Sequence, residues 1–168
     1  MAGPWLDPGD ECVWRRFLDM QASLRGRLSR ELQRQTGLSE ADYEVLVRLS
    51  ESPGRSMRVF ELAEATRWEK SRLSHHLTRM AGRGLVRRAG CPTDSRGTVV
   101  ELTEAGWETI VHAAPLHAAD VRRWFVDALS PAQRASLGEI AGAVVAHLAA
   151  SEADETDDAG GLDPTLPA

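Results

Sequence analysis

Cysteines, aromatic residues and long apolar runs are all scarce in this sequence of 168 residues. The two cysteines, Cys12 and Cys91, lie far apart and have no companion at metal-ligand spacing, which excludes a zinc site or a disulfide framework and indicates free thiols. No apolar run approaches the ~18 residues that span a bilayer. The N-terminus is acidic where a secretory signal would be basic. We therefore expect a soluble, cytoplasmic protein.

The sequence also lacks the motifs that would indicate an enzyme. It contains no glycine-rich phosphate loop, no HExxH, no GxSxG and no nucleophile with a base at motif spacing. The neighbouring His75 and His76 cannot share one face of a helix, so they make a poor metal site. These absences predict a protein without catalytic residues, metal or cofactor.

The net charge of -5 is distributed unevenly along the chain. Residues 55–98 contain ten basic and four acidic side chains, a local charge of +6, so the remainder carries -11. A basic segment in an acidic protein is typical of a surface that binds a polyanion. From charge alone, a solvated face on which basic residues cluster is the alternative.

Apolar periodicity predicts helices in the first part of the chain. One apolar stripe repeats at three- and four-residue steps from Val13 to Leu32, and Gly37 supplies a stop. A capping box in Ser39-Glu40-Ala41-Asp42 begins a second helix. A short helix is expected over Val59–Thr66, with Leu62 and Ala63 facing inward.

A polar helix and a hairpin follow. The helix covers Lys70 to Arg83, and its apolar residues form one narrow face. These residues are Leu73, Leu77 and Met80. Residues 85–88 and 98–102 read as two short strands, and the turn formers of residues 91–97 predict a long polar tip between them.

Two further helices are expected near the C-terminus. Thr103 can cap a helix to about Leu129, which Pro115 should bend or split. The last helix begins at a capping box in Ser130-Pro131-Ala132-Gln133. From Ser151 onward the chain has six acids and no basic residue, which predicts a disordered tail.

This order of elements predicts a mainly α fold with a small β-hairpin wing. A winged helix-turn-helix DNA-binding lobe would be joined to a helical dimerisation lobe formed by the N- and C-terminal helices. The predicted segments are an N-terminal extension (1–11), a dimerisation helix (12–37), the winged helix-turn-helix lobe (38–102), C-terminal dimerisation helices (103–150) and an acidic disordered tail (151–168).

In such a fold the third helix of the DNA-binding lobe, here Lys70 to Arg83, enters the major groove of DNA, and the wing reaches the adjacent minor groove. Arginine can bond bidentately to guanine, and serine hydroxyls suit phosphates. An arginine at the wing tip suits the negative potential of the narrow groove. The predicted DNA-contacting residues are Lys70, Ser71, Arg72, Ser74, His75, Arg79 and Arg96.

The sequence resembles the MarR family of bacterial regulators over roughly residues 12–150. The residues that carry the resemblance are Glu61-Leu62-Ala63, Lys70-Ser71 through Arg79-Met80, Gly84-Leu85-Val86, Asp94-Ser95-Arg96 and Leu102-Thr103-Glu104-Ala105-Gly106. The resemblance implies a homodimer, a pseudo-palindromic operator and often a small aromatic or phenolic ligand between the dimer and DNA lobes, which would release the operator. We expect a repressor, but the sequence does not distinguish repression from activation. The resemblance also implies that Asp94 supports the wing and does not contact DNA.

Two departures from the family pattern fall at the predicted reading surface. His75 stands at a position where an arginine is common in the family. Trp68 and Glu69 form the turn just before the helix that begins at Lys70. Base preference therefore cannot be transferred from the family, and the operator sequence, the target genes and the effector are not legible.

Independently of the resemblance, the terminal helices need a partner surface, because a lobe of only ~60 residues would bury their apolar stripes poorly. A two-fold dimer reads an inverted repeat. Two alternatives remain open. Cys12, near a helix start, could sense peroxide. The peroxide sensors of the family have several tyrosines around such a thiol, whereas this chain has only Tyr43. A winged helix can also serve as a protein–protein interaction module.

Overall fold

The computed structural model describes the backbone of residues 6–91 and 94–159 and the side chains of residues 6–90 and 98–151. The predicted fold class is confirmed, because helices dominate and one small antiparallel sheet accompanies them. The elements are α1 (Pro8–Thr36), α2 (Glu40–Glu51), β1 (Ser56–Arg58), α3 (Val59–Thr66), α4 (Lys70–Gly82), β2 (Val86–Cys91), β3 (Asp94–Leu102), α5 (Glu104–Val121) and α6 (Pro131–Ala159). They fall into two compact units, one ending at Trp124 and the other beginning at Phe125. Among the described helices, none combines the length and apolarity that crossing a membrane requires.

Helix α1 begins earlier than the sequence analysis predicted. The carboxylate of Asp7 accepts hydrogen bonds from the backbone N–H groups of Gly9 and Asp10, and Pro8 occupies the first helical position. Asp and Pro at these positions are a strong start signal. The predicted N-terminal extension of residues 1–11 was therefore wrong from Pro8 onward.

The core of the first unit lies between α2, α3, α4, the sheet and α5. Its fully buried side chains include Leu62 of α3 and the three inward residues predicted for α4, and the other inward residue predicted for α3, Ala63, is buried as well. The largest fully buried side chains are Leu38, Val45, Leu46, Leu49, Leu62, Leu73, Leu77, Met80 and Val100. Of the stripe predicted on α1, Leu32 is buried, whereas Val13, Phe17 and Met20 are exposed. Helix α1 thus joins this core only near its C-terminal end.

The sheet has three strands in the order β1-β3-β2, where the sequence predicted two. Strand β1 pairs with β3 over Ser56–Arg58, a segment too short to show an alternating pattern. The predicted polar loop at residues 91–97 was also wrong, because β2 extends to Cys91 and β3 begins at Asp94. Turn formers can continue a ladder when an antiparallel partner supplies the backbone hydrogen bonds.

The C-terminal helices differ from the prediction in two places. Helix α5 passes Pro115 without splitting, and the interruption is a π-helical turn at Arg122–Val126. The capping box before α6 is confirmed, because Ser130 and Gln133 exchange side-chain to backbone hydrogen bonds. Helix α6 continues to Ala159, so the predicted disorder was wrong for residues 151–159, where alanine and glutamate favour helix and no glycine or proline intervenes.

Thr103 and Gly106 fix the start of α5 against the strand edge. The Thr103 hydroxyl donates to the backbone oxygen of Gly84 at 2.6 Å, and it accepts from Gly106 N–H at 2.9 Å as the helix cap. A Cβ atom at Gly106 would lie 2.0 Å from the carbonyl oxygen of Leu85. The Leu-Thr-x-x-Gly motif is therefore a structural joint between α5 and the wing.

We expect Gly106→Ala to lower the free energy of unfolding by about 3 kcal/mol, because backbone must move to admit the methyl group. Chemical denaturation followed by circular dichroism measures the change. Gly82→Ala is the matched control, since a Cβ at Gly82 meets nothing within 4 Å and should cost nothing. Equal stabilities of the two variants would contradict the close packing at Gly106.

Candidate DNA interface

Helix α4 has one buried face and one exposed polar face. Leu73, Leu77 and Met80 are fully buried at i, i+4, i+7 spacing, so the opposite face must point outward. The exposed side chains of α4 include five of the predicted contact residues. They are Lys70, Ser71, Arg72, His75 and Arg79, while Ser74 is half-buried. Arg72 and Arg79, seven positions apart, thus lie on one solvent face of the helix, and Lys70 is exposed in its first turn.

Arg72 is held against an aromatic ring. Its guanidinium lies 4.5 Å from the centre of the Trp68 ring, and Trp68 itself packs partly into the core. The edge of the same ring meets the His76 imidazole at 5.3 Å between centroids and 80° between planes. Trp68 therefore contacts both faces of α4: the exposed face through Arg72 and the buried face through His76.

Beneath α4 lies a charged cluster built around Asp42 of α2. One carboxylate oxygen, Oδ2, accepts from Arg83 Nη1 at 2.7 Å and from Ser39 N–H at 3.0 Å. The other, Oδ1, lies 3.1 Å from His76 Nε2. Burial would raise the pKa of Asp42, but the hydrogen bonds from Arg83 and Ser39 outweigh it and lower the pKa. The carboxylate is therefore ionised at neutral pH and joins α2 to α4.

His76 connects this cluster to the exposed face. Its Nδ1 lies 3.0 Å from Arg79 Nη2, and because arginine only donates, Nδ1 must be the acceptor. Burial lowers the pKa of His76, an effect opposed by Asp42 and reinforced by the nearby arginines Arg79, Arg83 and Arg72. The imidazole is accordingly neutral near pH 7, with its proton on the nitrogen that faces Asp42.

Arg88 is a residue of this surface that the sequence analysis missed. Its Nη2 donates to the backbone oxygen of Ser74 at 2.7 Å and lies 3.3 Å from the Ser74 hydroxyl. This contact joins strand β2 to the middle of α4. It also engages the hydroxyl of Ser74, which the sequence predicts to contact a DNA phosphate. The only signal in the sequence was the basic pair Arg87-Arg88 at the start of a strand.

The two predicted wing residues lie on β3, but their side chains fall outside the described residues. Asp94 begins the strand and Arg96 follows two positions later. Their roles therefore stay predictions. The same holds for the thiol of Cys91, whereas Cys12 is a free, exposed thiol on α1.

A cavity of about 1220 Å³ opens between α1, α2 and α5. Its polar lining includes Tyr43 and His117, whose rings lie 4.6 Å apart, and Arg25, which donates to Glu40 at 2.9 Å. His117 Nδ1 is buried without a hydrogen-bond partner. Burial lowers the pKa of His117 and raises that of Tyr43, so both side chains are neutral at pH 7. Within the part of the chain that is described, no cluster of His, Cys, Asp and Glu side chains could hold a metal ion.

Comparison with known proteins places this geometry among regulators. A model of the MarR family matches residues 36–97. The chain is 44% identical to AbsC, a MarR family transcriptional regulator from Streptomyces coelicolor, with a TM-score of 0.82 over 88% of this chain and 99% of that one. It is 41% identical to Sco3205, a MarR family regulator of the same organism solved in complex with DNA, with a TM-score of 0.80 over 86% and 94% of the two chains. It is also 35% identical to the transcriptional regulator HosA of Escherichia coli O111:H- over 79 residues, which are 47% of this chain and 57% of HosA.

Proposed function

This chain belongs to the MarR family of transcriptional regulators, and from that membership we propose that it represses transcription by binding a pseudo-palindromic operator as a homodimer. Members of the family are DNA-binding regulators and not enzymes. The observation that carries the proposal is the division of α4 into a fully buried face and an exposed face with Arg72, His75 and Arg79, with Lys70 exposed in the first turn. A similar protein, Sco3205, has been seen bound to DNA.

In the proposed complex the exposed face of α4 lies in the major groove. Arg72 and Arg79 would bond to base edges, and His75 would contact a neighbouring base. Lys70, Ser71 and Ser74 would face phosphates, Ser74 sharing its contacts with Arg88. Arg96 on the wing would enter the minor groove, with Asp94 supporting the wing.

The proposed dimer surface includes the exposed apolar residues of α1. Val13 is 68% and Phe17 40% exposed, and Trp14 stacks on Phe17 with 5.7 Å between ring centroids. In the second unit, α6 exposes its own apolar row at i, i+4, i+8 spacing, with Ile140, Val144 and Leu148 each more than half exposed. Apolar stripes of this length are seldom left in water, so a second copy is expected to cover them.

We expect selection of genomic fragments, followed by footprinting, to yield an inverted repeat overlapping a promoter. Affinity for that operator should fall by about 1,000-fold between about 50 mM and about 200 mM salt, because phosphate contacts release counterions. Fluorescence anisotropy with a labelled duplex measures it, and a scrambled duplex of equal length is the control. If no fragment is enriched and no salt dependence appears, the protein–protein interaction module becomes the better interpretation.

We further propose that a small hydroxyaromatic molecule binds the cavity between α1, α2 and α5 and releases the operator. Tyr43 offers a ring and a neutral hydroxyl, and the unpartnered His117 Nδ1 can accept a hydrogen bond. A buried polar atom without a partner is costly, and a ligand hydroxyl would satisfy it. The alternative signal, oxidation of Cys12, rests on that exposed thiol alone.

A panel of hydroxybenzoates and phenols is expected to contain a compound that displaces the operator from the wild-type protein. Its apparent affinity should be about tenfold weaker for His117→Ala, which removes the acceptor. His112→Ala is the control, because His112 is an exposed residue of the same helix. Titration by operator displacement gives both values. Equal titrations of the wild type and both variants would remove His117 from the effector site.

A further inference from the structure

Trp68 and His76 stand between the core of the lobe and the two arginines of α4. Trp68 receives the Arg72 guanidinium on its ring face, and His76 accepts from Arg79 through Nδ1. The two rings contact each other edge to face. His76 is buried and Trp68 is half-buried, so the surrounding core restricts the motion of both rings.

Resting on the proposed DNA-reading role of α4, we propose that Trp68 and His76 are positioning residues that hold Arg72 and Arg79 in place before DNA binds.

The Trp68–Arg72 contact joins the first turn of α4 to the segment just before it. Long side chains of a helix point toward its N-terminus, so the Arg72 side chain reaches back over the ring of Trp68, which precedes α4. A guanidinium over the face of tryptophan is attracted by the ring quadrupole, and tryptophan is the strongest partner of this kind. The ring attracts the guanidinium without accepting a conventional hydrogen bond, so the N–H donors of Arg72 stay available to a base edge.

The His76–Arg79 contact depends on which imidazole nitrogen carries the proton. Asp42 lies at 3.1 Å from Nε2, and Arg83 holds the opposite carboxylate oxygen in place. An ionised carboxylate beside Nε2 favours the proton on that nitrogen and leaves the lone pair of Nδ1 toward Arg79. Nε2 is close to Asp42 without being aligned for a hydrogen bond, so the carboxylate acts here mainly through its charge.

Positioning of this kind raises specificity more than total affinity. A long arginine side chain loses rotamer freedom when it bonds to a base, and an arginine already held in place loses less. Contacts to phosphates tolerate many arginine rotamers, because they need charge more than direction. Loss of the positioning residues should therefore weaken operator binding and leave binding to random DNA almost unchanged.

Two substitutions at His76 separate its two nitrogens. The Oδ1 atom of His76→Asn takes the place of Nδ1 and still accepts from Arg79, whereas the amide nitrogen of His76→Gln takes the place of Nε2 and faces Asp42. We expect operator affinity about tenfold weaker for the glutamine variant than for the asparagine variant, with equal affinities for random DNA. Anisotropy titrations on both duplexes measure it, and thermal unfolding shows whether the two variants are equally folded. Equal losses of operator affinity in both variants would assign His76 a purely structural role and overturn the proposal.

At Trp68 the matched pair is Trp68→Phe and Trp68→Leu. Phenylalanine keeps a ring face for Arg72, so it should retain most of the ratio between operator and random-DNA affinity, while leucine should lower that ratio about three- to tenfold. Equal ratios for the two variants would overturn the role of the ring. If Arg72→Ala and Arg79→Ala change operator binding and these four variants do not, the positioning proposal fails and the proposed function stands. If the arginine variants bind like the wild type, the DNA-reading role of α4 fails first.

Discussion

Replacing Arg72 and Arg79 together by alanine is expected to weaken operator binding by at least about 100-fold. A bidentate contact between arginine and a base contributes about 1–3 kcal/mol of discrimination, and the proposed dimer presents each arginine twice. Both side chains are exposed, so their removal leaves the buried face of α4 intact. Anisotropy titrations against the selected operator measure the loss.

Two control variants identify the cause of this loss of operator affinity. The Arg72→Lys/Arg79→Lys variant keeps both charges and should recover only part of the affinity, because lysine is a point charge and cannot bond in a fork. Arg30→Ala removes the same kind of charge from an exposed position on α1 and should bind like the wild type. A double alanine variant with wild-type affinity would show that α4 does not read the operator.

The Val13→Asp/Phe17→Asp variant is expected to convert the dimer into a monomer and to lower operator affinity by more than about 100-fold. Two carboxylates would replace apolar side chains on the proposed interface, where burial of an unpaired charge is costly. A monomer also loses the effective concentration that couples the two half-sites, which is a factor of about 100 to 10,000. Analytical ultracentrifugation and anisotropy measure the two effects.

Arg15→Asp is the matched control for this variant. It changes the net charge by the same two units on the opposite side of α1, where Arg15 makes an exposed ion pair with Glu11 at 2.6 Å that contributes little to stability. This variant should remain a dimer. A Val13→Asp/Phe17→Asp protein that stays dimeric would mean that the apolar face of α1 is not the interface.

The sequence predicted best those features that depend on neighbouring residues along the chain. The capping box of Ser39 and Asp42, the bounds of α3 and the buried face of α4 are all local, and each is confirmed. The start of α1 lies before the predicted bound although Asp7 and Pro8 are a local signal, because the apolar stripe that predicts the helix begins only at Val13.

Contacts between residues far apart in the sequence could not be predicted from local patterns. Asp42 was predicted only as a cap, and its contacts with His76 and Arg83, 34 and 41 positions later, arise because the fold brings these side chains within reach of α2. Arg88 reaches Ser74 only because the hairpin folds back beside α4. The pairing of β1 with β3 is likewise non-local, and a three-residue strand has no periodicity of its own. These contacts decide how the candidate site is organised.

Because α4 contributes only its buried face to the core, the exposed residues of this helix can change during evolution without loss of the fold. Ser71 and His75 point away from Leu73, Leu77 and Met80, so substitutions at these two positions change stability by no more than about 0.5 kcal/mol. A duplicated gene could therefore alter the bases its product recognises through single mutations, without first passing through an unfolded intermediate. Lineages that share this scaffold can acquire new operators while keeping the same helix in the same place.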